Sequence, residues 1–269
     1  MRNLRFIGAL LIALFSVVTY YCRRSTNPVT GEVQHVSMSA EQEIALGLQA
    51  APQMAQQYGG LSQNVEVAQR VKQIGQKIVA SSAASKSPYR FDFHLLADPT
   101  TVNAFALPGG QIFITEGILR QLKTEGELAG VLGHEVGHVV GRHSAEQVAK
   151  SQLTQGLSGA AAVAVYDPER PSTAAAAAGA AMVAKLMTLR FGREDELEAD
   201  RMAVRFTADA GYDPRAMVGV MQTLERVGGG SPRGPEFTQT HPNPGNRIAE
   251  IERAIQAEFP QGPPSGLVQ

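Results

Sequence analysis

Apolar residues recur at helical spacing along most of this chain and alternate at strand spacing in only two short stretches. Ser39, with Gln42 three residues on, reads as the capping box of a helix over 39–58 that Gly59 and Gly60 terminate. A second helix, over 62–81, has an apolar face of Val65, Val67, Val71, Ile74 and Ile78. Residues 91–96 and 111–115 read as strands, and 103–110 between them as an extended segment ending in a turn. Thr124 with Glu127 reads as a second capping box, opening an apolar helix from about 125 through 150. An acidic helical segment starts near 190 and runs on through Phe206, and Asp213 with Pro214 opens another helix to about 227. Residues 228–235 form a flexible linker, and a short amphipathic helix carrying Ile248, Ile251 and Ile255 follows it. The stretch 156–187 reads as two alanine-rich helices around a loop at 166–171. These elements predict an α+β domain over 39–259, predominantly helical with a small antiparallel or mixed sheet, followed by a disordered Pro- and Gly-rich tail at 260–269.

The amino end is of a different kind. Arg2 and Arg5 precede an apolar run over 6–21, with Arg23 and Arg24 behind it, the layout of an export signal or a single membrane anchor. The run of about 16 residues is shorter than the ~20 of an unassisted span. Cys22 closes it and is the only cysteine, so an internal disulfide and a thiolate metal site are both excluded. Its position makes Cys22 a candidate for lipidation, although Tyr20 and Tyr21 occupy ground where lipoprotein processing favours a small residue. A lipid anchor and an uncleaved helix both hold the rest of the chain at a membrane, outside the cytoplasm. Residues 25–38, containing Asn27-Pro28-Val29-Thr30-Gly31, read as a turn-rich tether. A net charge of -1 with scattered Lys and Arg and no Trp argues against nucleic acid as a partner.

The candidate chemistry lies in the helix from 125. His134 and His138 are four residues apart and share a helix face, so both can reach one metal ion. Glu135 projects beside them, where it can take a proton from water activated by that metal. The plainer alternative is a pair of partly buried helix histidines, but an unpaired imidazole inside so apolar a helix is costly and a metal removes the cost. A third histidine ligand at the spacing of the extended metalloprotease motif would stand at 144, which is Ser144; His143 misses it by one residue, about 100° on a helix. Glu196 is therefore the chosen third ligand, completing a His2Glu set. Asp200 shares its face and is expected to hold the second nitrogen of a ligand imidazole. His94 reads as a strand-surface residue. His241, beyond the glycine linker, is open to two roles, an oxyanion donor or a latch on the metal's open position, beside that of a bystander; the mobile linker favours the latch. The extended segment at 103–110 is either a substrate-pairing edge or a plain hairpin turn.

Taken together, His134-Glu135-x-x-His138, then Arg142-His143, then Glu196-Leu197-Glu198-Ala199-Asp200, then Thr240-His241-Pro242, resemble the HtpX-like and CAAX-prenyl-protease-like gluzincin metalloproteases, above all their bacterial periplasmic members, over roughly 27–255. That resemblance implies a zincin-type domain with one zinc ion per chain, held by His134, His138 and Glu196, with Glu135 as base. It implies an endopeptidase for misfolded or membrane-associated proteins on the periplasmic side of the cell envelope. Asn103, Ala104 and Phe105 are similar to the substrate-binding edge strand of gluzincins. The alternative function is a membrane-tethered interaction module with a structural zinc site.

Overall fold

The computed structural model describes residues 2–164, 190–228, 234–242 and 245–269. In chain order, α1 (Arg2–Cys22) leads into a hairpin of β1 (Arg24–Thr26) and β2 (Val33–His35), followed by α2 (Ala40–Gln57), α3 (Val65–Ser81) and a short 3-10 turn. Next come β3 (Asp92–Leu96), β4 (Ala104–Ala106), β5 (Gln111–Thr115), α4 (Glu116–Leu119), α5 (Glu125–Val140) and α6 (His143–Ala164). Among the described residues the chain ends with α7 (Arg193–Asp209), α8 (Ala216–Gly228), α9 (Glu236–Thr240) and α10 (Arg247–Glu258). It is a mostly helical α+β domain with two small sheets. The stretch 165–187, expected to hold a loop and an alanine-rich helix, lies outside the described residues, as do 229–233 of the linker.

The local chemistry explains most boundaries. Ser39 and Gln42 form the expected reciprocal box at the start of α2. α3 begins later than its pattern implies: Ser62 donates to Glu116, and Asn64 caps the helix by accepting the Val67 N–H. Thr124 caps α5, but the Glu127 carboxylate accepts from the Lys123 N–H instead of closing a box on Thr124. Every residue from Gly126 to Val140 is buried, so α5 is the central helix of the domain. The three-stranded sheet has the order β3-β5-β4, with β3 parallel and β4 antiparallel to β5, a mixed sheet in which β4 is an edge.

The expected continuous helix from 125 through 150 breaks in two. α5 ends at Val140, Arg142 adopts φ 58°, and α6 starts at His143. A left-handed conformation at a non-glycine costs roughly 1–3 kcal/mol, and a buried clamp offsets it. Arg142 donates through Nε to Glu43 of α2 at 2.9 Å and through Nη2 to the Met38 carbonyl at 2.8 Å, while Tyr89 donates to the other Glu43 oxygen at 3.0 Å.

Two further stretches are held by specific contacts. Residues 25–38, read as a turn-rich tether, form a docked hairpin: β1–β2 sits on the end of α5, where the Asn27 amide donates to the Val140 carbonyl at 2.7 Å and the Gln34 amide to that of Gly141. Helix-terminal carbonyls need such partners, and the side chains of Asn27 and Gln34 are buried to supply them. The tail is not disordered to its end. Val268 donates to Gly211 at 3.0 Å and accepts from Asp213 at 2.8 Å, so the last residues are pinned beside the start of α8.

Candidate metal centre

Close approach of α7 to α5 builds the centre. A Cβ on Gly137 would lie 3.0 Å from the Ala199 carbonyl oxygen, so the helices meet where α5 has no side chain. This brings Glu196 and Asp200, one turn apart on α7, against the two histidines of α5. The Nε2 atoms of His134 and His138 are 3.0 Å apart, and each lies 3.4 Å from an oxygen of Glu196. The fourth neighbour is His241, at the end of α9, whose Nδ1 is 3.4 Å from His134 Nε2 and 3.1 Å from Glu196 Oε1. Zinc bonds of about 2.0–2.2 Å in a tetrahedron place donor atoms ~3.4 Å apart. The four donors are all buried within 4.8 Å of one another, and the separations of 3.0, 3.1 and 3.4 Å given above lie close to that spacing.

Around this cluster each residue has a distinct setting. His134 turns Nδ1 to Asp200 Oδ1 at 2.9 Å. Glu135 is fully buried with neither carboxylate oxygen hydrogen-bonded among the described residues, and Oε1 lies 3.6 Å from His241 Nε2. Burial raises the Glu135 carboxyl above its ordinary range, and the neighbouring His241 and His134 only partly oppose this. Burial also acts to lower His134, but hydrogen bonds to Asp200 and Glu196 outweigh it and lift that imidazole to about 9. Burial, followed by the charge of His134, holds His138 well below its usual value, which leaves its ring neutral and able to offer a lone pair. Burial opposes ionisation of Glu196, yet the facing histidines hold it well below the usual carboxylate range.

Two residues of the site were given no role by the sequence reading. Arg247 is buried and donates through Nε and Nη2 to both oxygens of Asp200, at 2.9 and 2.7 Å, while its Nη1 lies 3.0 Å from Glu196 Oε2. A signal for it existed: Arg247 is in phase with Ile251 and Ile255 on the buried face of α10. His143 is the other, brought within 2.8 Å of His138 by the break after α5, which no continuous-helix spacing foretells.

Asn103, Ala104 and Phe105 lie beside the cluster on the sheet edge. Asn103 and Leu107 bond to β5, so by antiparallel alternation Ala104 and Ala106 turn their backbone groups outward. A cavity here is lined by Met54, Tyr58, Asn103, Phe105, Phe191 and His241. One end is closed by α9: Glu236 accepts from Tyr58 and from the Asn103 amide, and the Phe237 N–H bonds the Val102 carbonyl at 3.1 Å. His94 is apart from the cluster, hydrogen-bonded to Gln111 across the sheet. Cys22 is exposed and free at the end of α1, also away from the cluster.

A buried His-Glu-x-x-His helix whose third donor is a glutamate on a following helix is the gluzincin form of the zinc metallopeptidases, and its donor set of imidazoles and carboxylate suits zinc. Peptidase family M48 matches residues 66–255, and the chain belongs to that family of zinc metalloendopeptidases. It is 30% identical over 237 residues to the mitochondrial metalloendopeptidase OMA1 of Schizosaccharomyces pombe, covering 87% of this chain and 67% of that protein. It is 31% identical over 236 residues to a putative beta-barrel assembly-enhancing protease of Vibrio cholerae, covering 85% of this chain and 47% of that one. The Yersinia pestis beta-barrel assembly-enhancing protease is 29% identical over 228 residues, 83% of this chain and 46% of its own length. The chain thus spans about half the length of these bacterial relatives.

Proposed function

We propose that this chain is an endopeptidase that cleaves misfolded or membrane-associated proteins at the outer face of a cell-envelope membrane. The observation that carries this reading is the convergence of His134, His138 and Glu196 beside a buried Glu135 carboxylate with no hydrogen-bond partner among the described residues. Zinc, when bound by His134, His138 and Glu196, supplies Lewis acidity to water and to the peptide carbonyl. Glu135 takes the proton from the attacking water, a role its raised pKa suits, and passes it to the departing amine. Asp200 holds the Nδ1 proton of His134, and the Nε2 proton that the metal-free imidazolium carries is displaced when zinc binds. The outward backbone groups at Ala104 and Ala106 pair with an extended substrate, which favours unfolded chains over folded ones.

A membrane location is supported by α1, whose exposed residues Phe6, Leu10, Leu14, Phe15 and Tyr21 form an apolar outer face. No helix among the described residues is long and apolar enough to cross a membrane. The tie is therefore read as interfacial or as a lipid on Cys22.

His241 is read as a latch, since its Nδ1 lies where a fourth ligand would stand and Glu236 secures α9 to Tyr58 and Asn103. The same observation favours a second reading, a closed four-ligand site of purely structural zinc. Zinc analysis and cleavage of casein by wild type and Glu135→Gln separate the two readings. The enzyme reading expects equal zinc in both and cleavage in wild type alone; a Glu135→Gln protein as fast as wild type would show that the base is another group.

A further inference from the structure

His134 and His138 point Nε2 at the same place and Nδ1 away from it, but what stands behind them differs. Behind His134 is the carboxylate of Asp200. Behind His138 is another imidazole: Nδ1 of His143 lies 2.8 Å from Nδ1 of His138, and Nε2 of His143 lies 3.3 Å from Oε2 of Glu198. We propose that His143 and Glu198 form a positioning chain that fixes the tautomer and tilt of His138 for metal binding. This rests on the assignment of His138 as a ligand.

Donor and acceptor counting gives the chain one direction. A ligand imidazole with its lone pair at Nε2 carries its proton on Nδ1. At 2.8 Å the facing Nδ1 of His143 must then be an acceptor, since two N–H groups cannot share that gap. A neutral His143 with its lone pair at Nδ1 carries its proton on Nε2, and the group within reach there is Glu198, an acceptor when ionised. The order is thus His138 to His143 to Glu198. Reversing either link would put a proton on the face of His138 that meets the metal.

The fold provides for this chain. The His143 ring fills the space of an absent side chain: a Cβ on Gly141 would lie 2.4 Å from its Nε2 and 2.7 Å from its Cε1. Arg142 at φ 58° turns the chain back so that His143 faces the preceding turn. The Phe191 ring stacks on His138 with centroids 4.0 Å apart, which leaves the imidazole little room to tilt. His143 is buried, whereas Glu198 is partly exposed in a cleft with Thr30, Glu32, Arg201 and Arg205. The chain therefore joins a buried ligand to the protein surface.

The test compares His143→Leu, His143→Gln and Glu198→Ala. It uses the full chain and reads zinc affinity by chelator competition and, in the metal-stripped protein, the melting temperature and the His138 tautomer by NMR of isotope-labelled histidine. Loss of an outer partner of this type lowers metal affinity roughly 10–100-fold. His143→Leu should show such a loss while the metal-stripped protein melts near wild type, and His138 should lose its single Nδ1–H tautomer. His143→Gln, which keeps an acceptor and a donor, should recover most of the affinity. Glu198→Ala leaves the buried ring in place and should show a smaller loss in the same direction. Wild-type zinc affinity in His143→Leu overturns the proposal, as does equal loss in the Leu and Gln variants. Should His143→Leu fail to fold, an unchanged His138 tautomer in Glu198→Ala overturns it. His138→Ala keeps the two readings apart: retained zinc there removes His138 from the ligand set, whereas lost zinc there with none lost in His143→Leu removes only the chain.

Discussion

Replacing Arg247 with methionine tests how the site's charges are balanced. Arg247 is 2% exposed, and its guanidinium binds both oxygens of Asp200 and also faces Glu196. Both carboxylates are buried, and burial alone would make each hard to ionise; the Arg247 charge helps hold Asp200 below its ordinary range. Methionine fills similar volume and removes the cation, leaving two acids without their shared partner. Breaking a buried ion pair from one side costs about 3–5 kcal/mol. With bound zinc still facing Glu196, only Asp200 loses its counter-charge and is left with His134 alone, so the loaded protein should lie near the lower figure and the metal-stripped protein near the upper. At about 2–4 °C per kcal/mol for a chain of this size, the melting temperature should fall by roughly 6–20 °C. Arg247→Lys keeps the charge without the two-pronged geometry and should fall between. Calorimetry with and without zinc gives the answer. A methionine variant within about 2 °C of wild type in both forms, less than 1 kcal/mol, would refute the reasoning.

His241→Ala should raise the rate of casein cleavage if the imidazole is a latch; a large fall would make it an oxyanion donor, and no change a bystander. Gly137→Ala puts a Cβ 3.0 Å from the Ala199 carbonyl oxygen, so it should cost about 1–3 kcal/mol and weaken zinc binding by moving α7; unchanged stability and affinity would count against the helix contact as the element that sets the site. Asp200→Asn should weaken zinc retention more than folding, and its effect on the metal-stripped protein should depend on pH. Despite burial, Arg247 and His134 lower the folded-state pKa of Asp200, so its contribution is present above the unfolded value near 3.8 and is lost as the pH falls below that. A stability gap between wild type and Asp200→Asn that stays constant down to about pH 2 would contradict this.

The parts legible in the sequence are those that depend on short spacings. The i, i+4 pair of His134 and His138 and that of Glu196 and Asp200 are helix-face statements, and α5 and α7 carry them as such. Ser39 with Gln42 and the two longer strands were likewise readable. The break at Gly141 and Arg142 was not, because a left-handed arginine is stabilised by Glu43 and Tyr89, both far away in sequence. The docking of residues 25–38 was not readable, because Asn27-Pro28-Val29-Thr30-Gly31 signals a turn whether or not the turn docks, and the buried amides of Asn27 and Gln34 meet carbonyls over a hundred residues away. Arg247 was passed over because polar residues at a helix start are ordinary, and only its phase with Ile251 and Ile255 marks it as inward.

The docking of the β1–β2 hairpin on α5 bears on how far the active centre can travel. A flexible leash of n residues lets its load roam about 5–6 Å × √n. Here a single residue, Arg23, separates α1 from β1, and the hairpin that follows is fastened to the helix bearing both histidines. An anchor at the end of α1 therefore has no slack to give. On the membrane attachment proposed above, the catalytic cleft would ride at a set height above the lipid, and the substrates within its reach would be selected by their distance from that surface before their sequence is ever read.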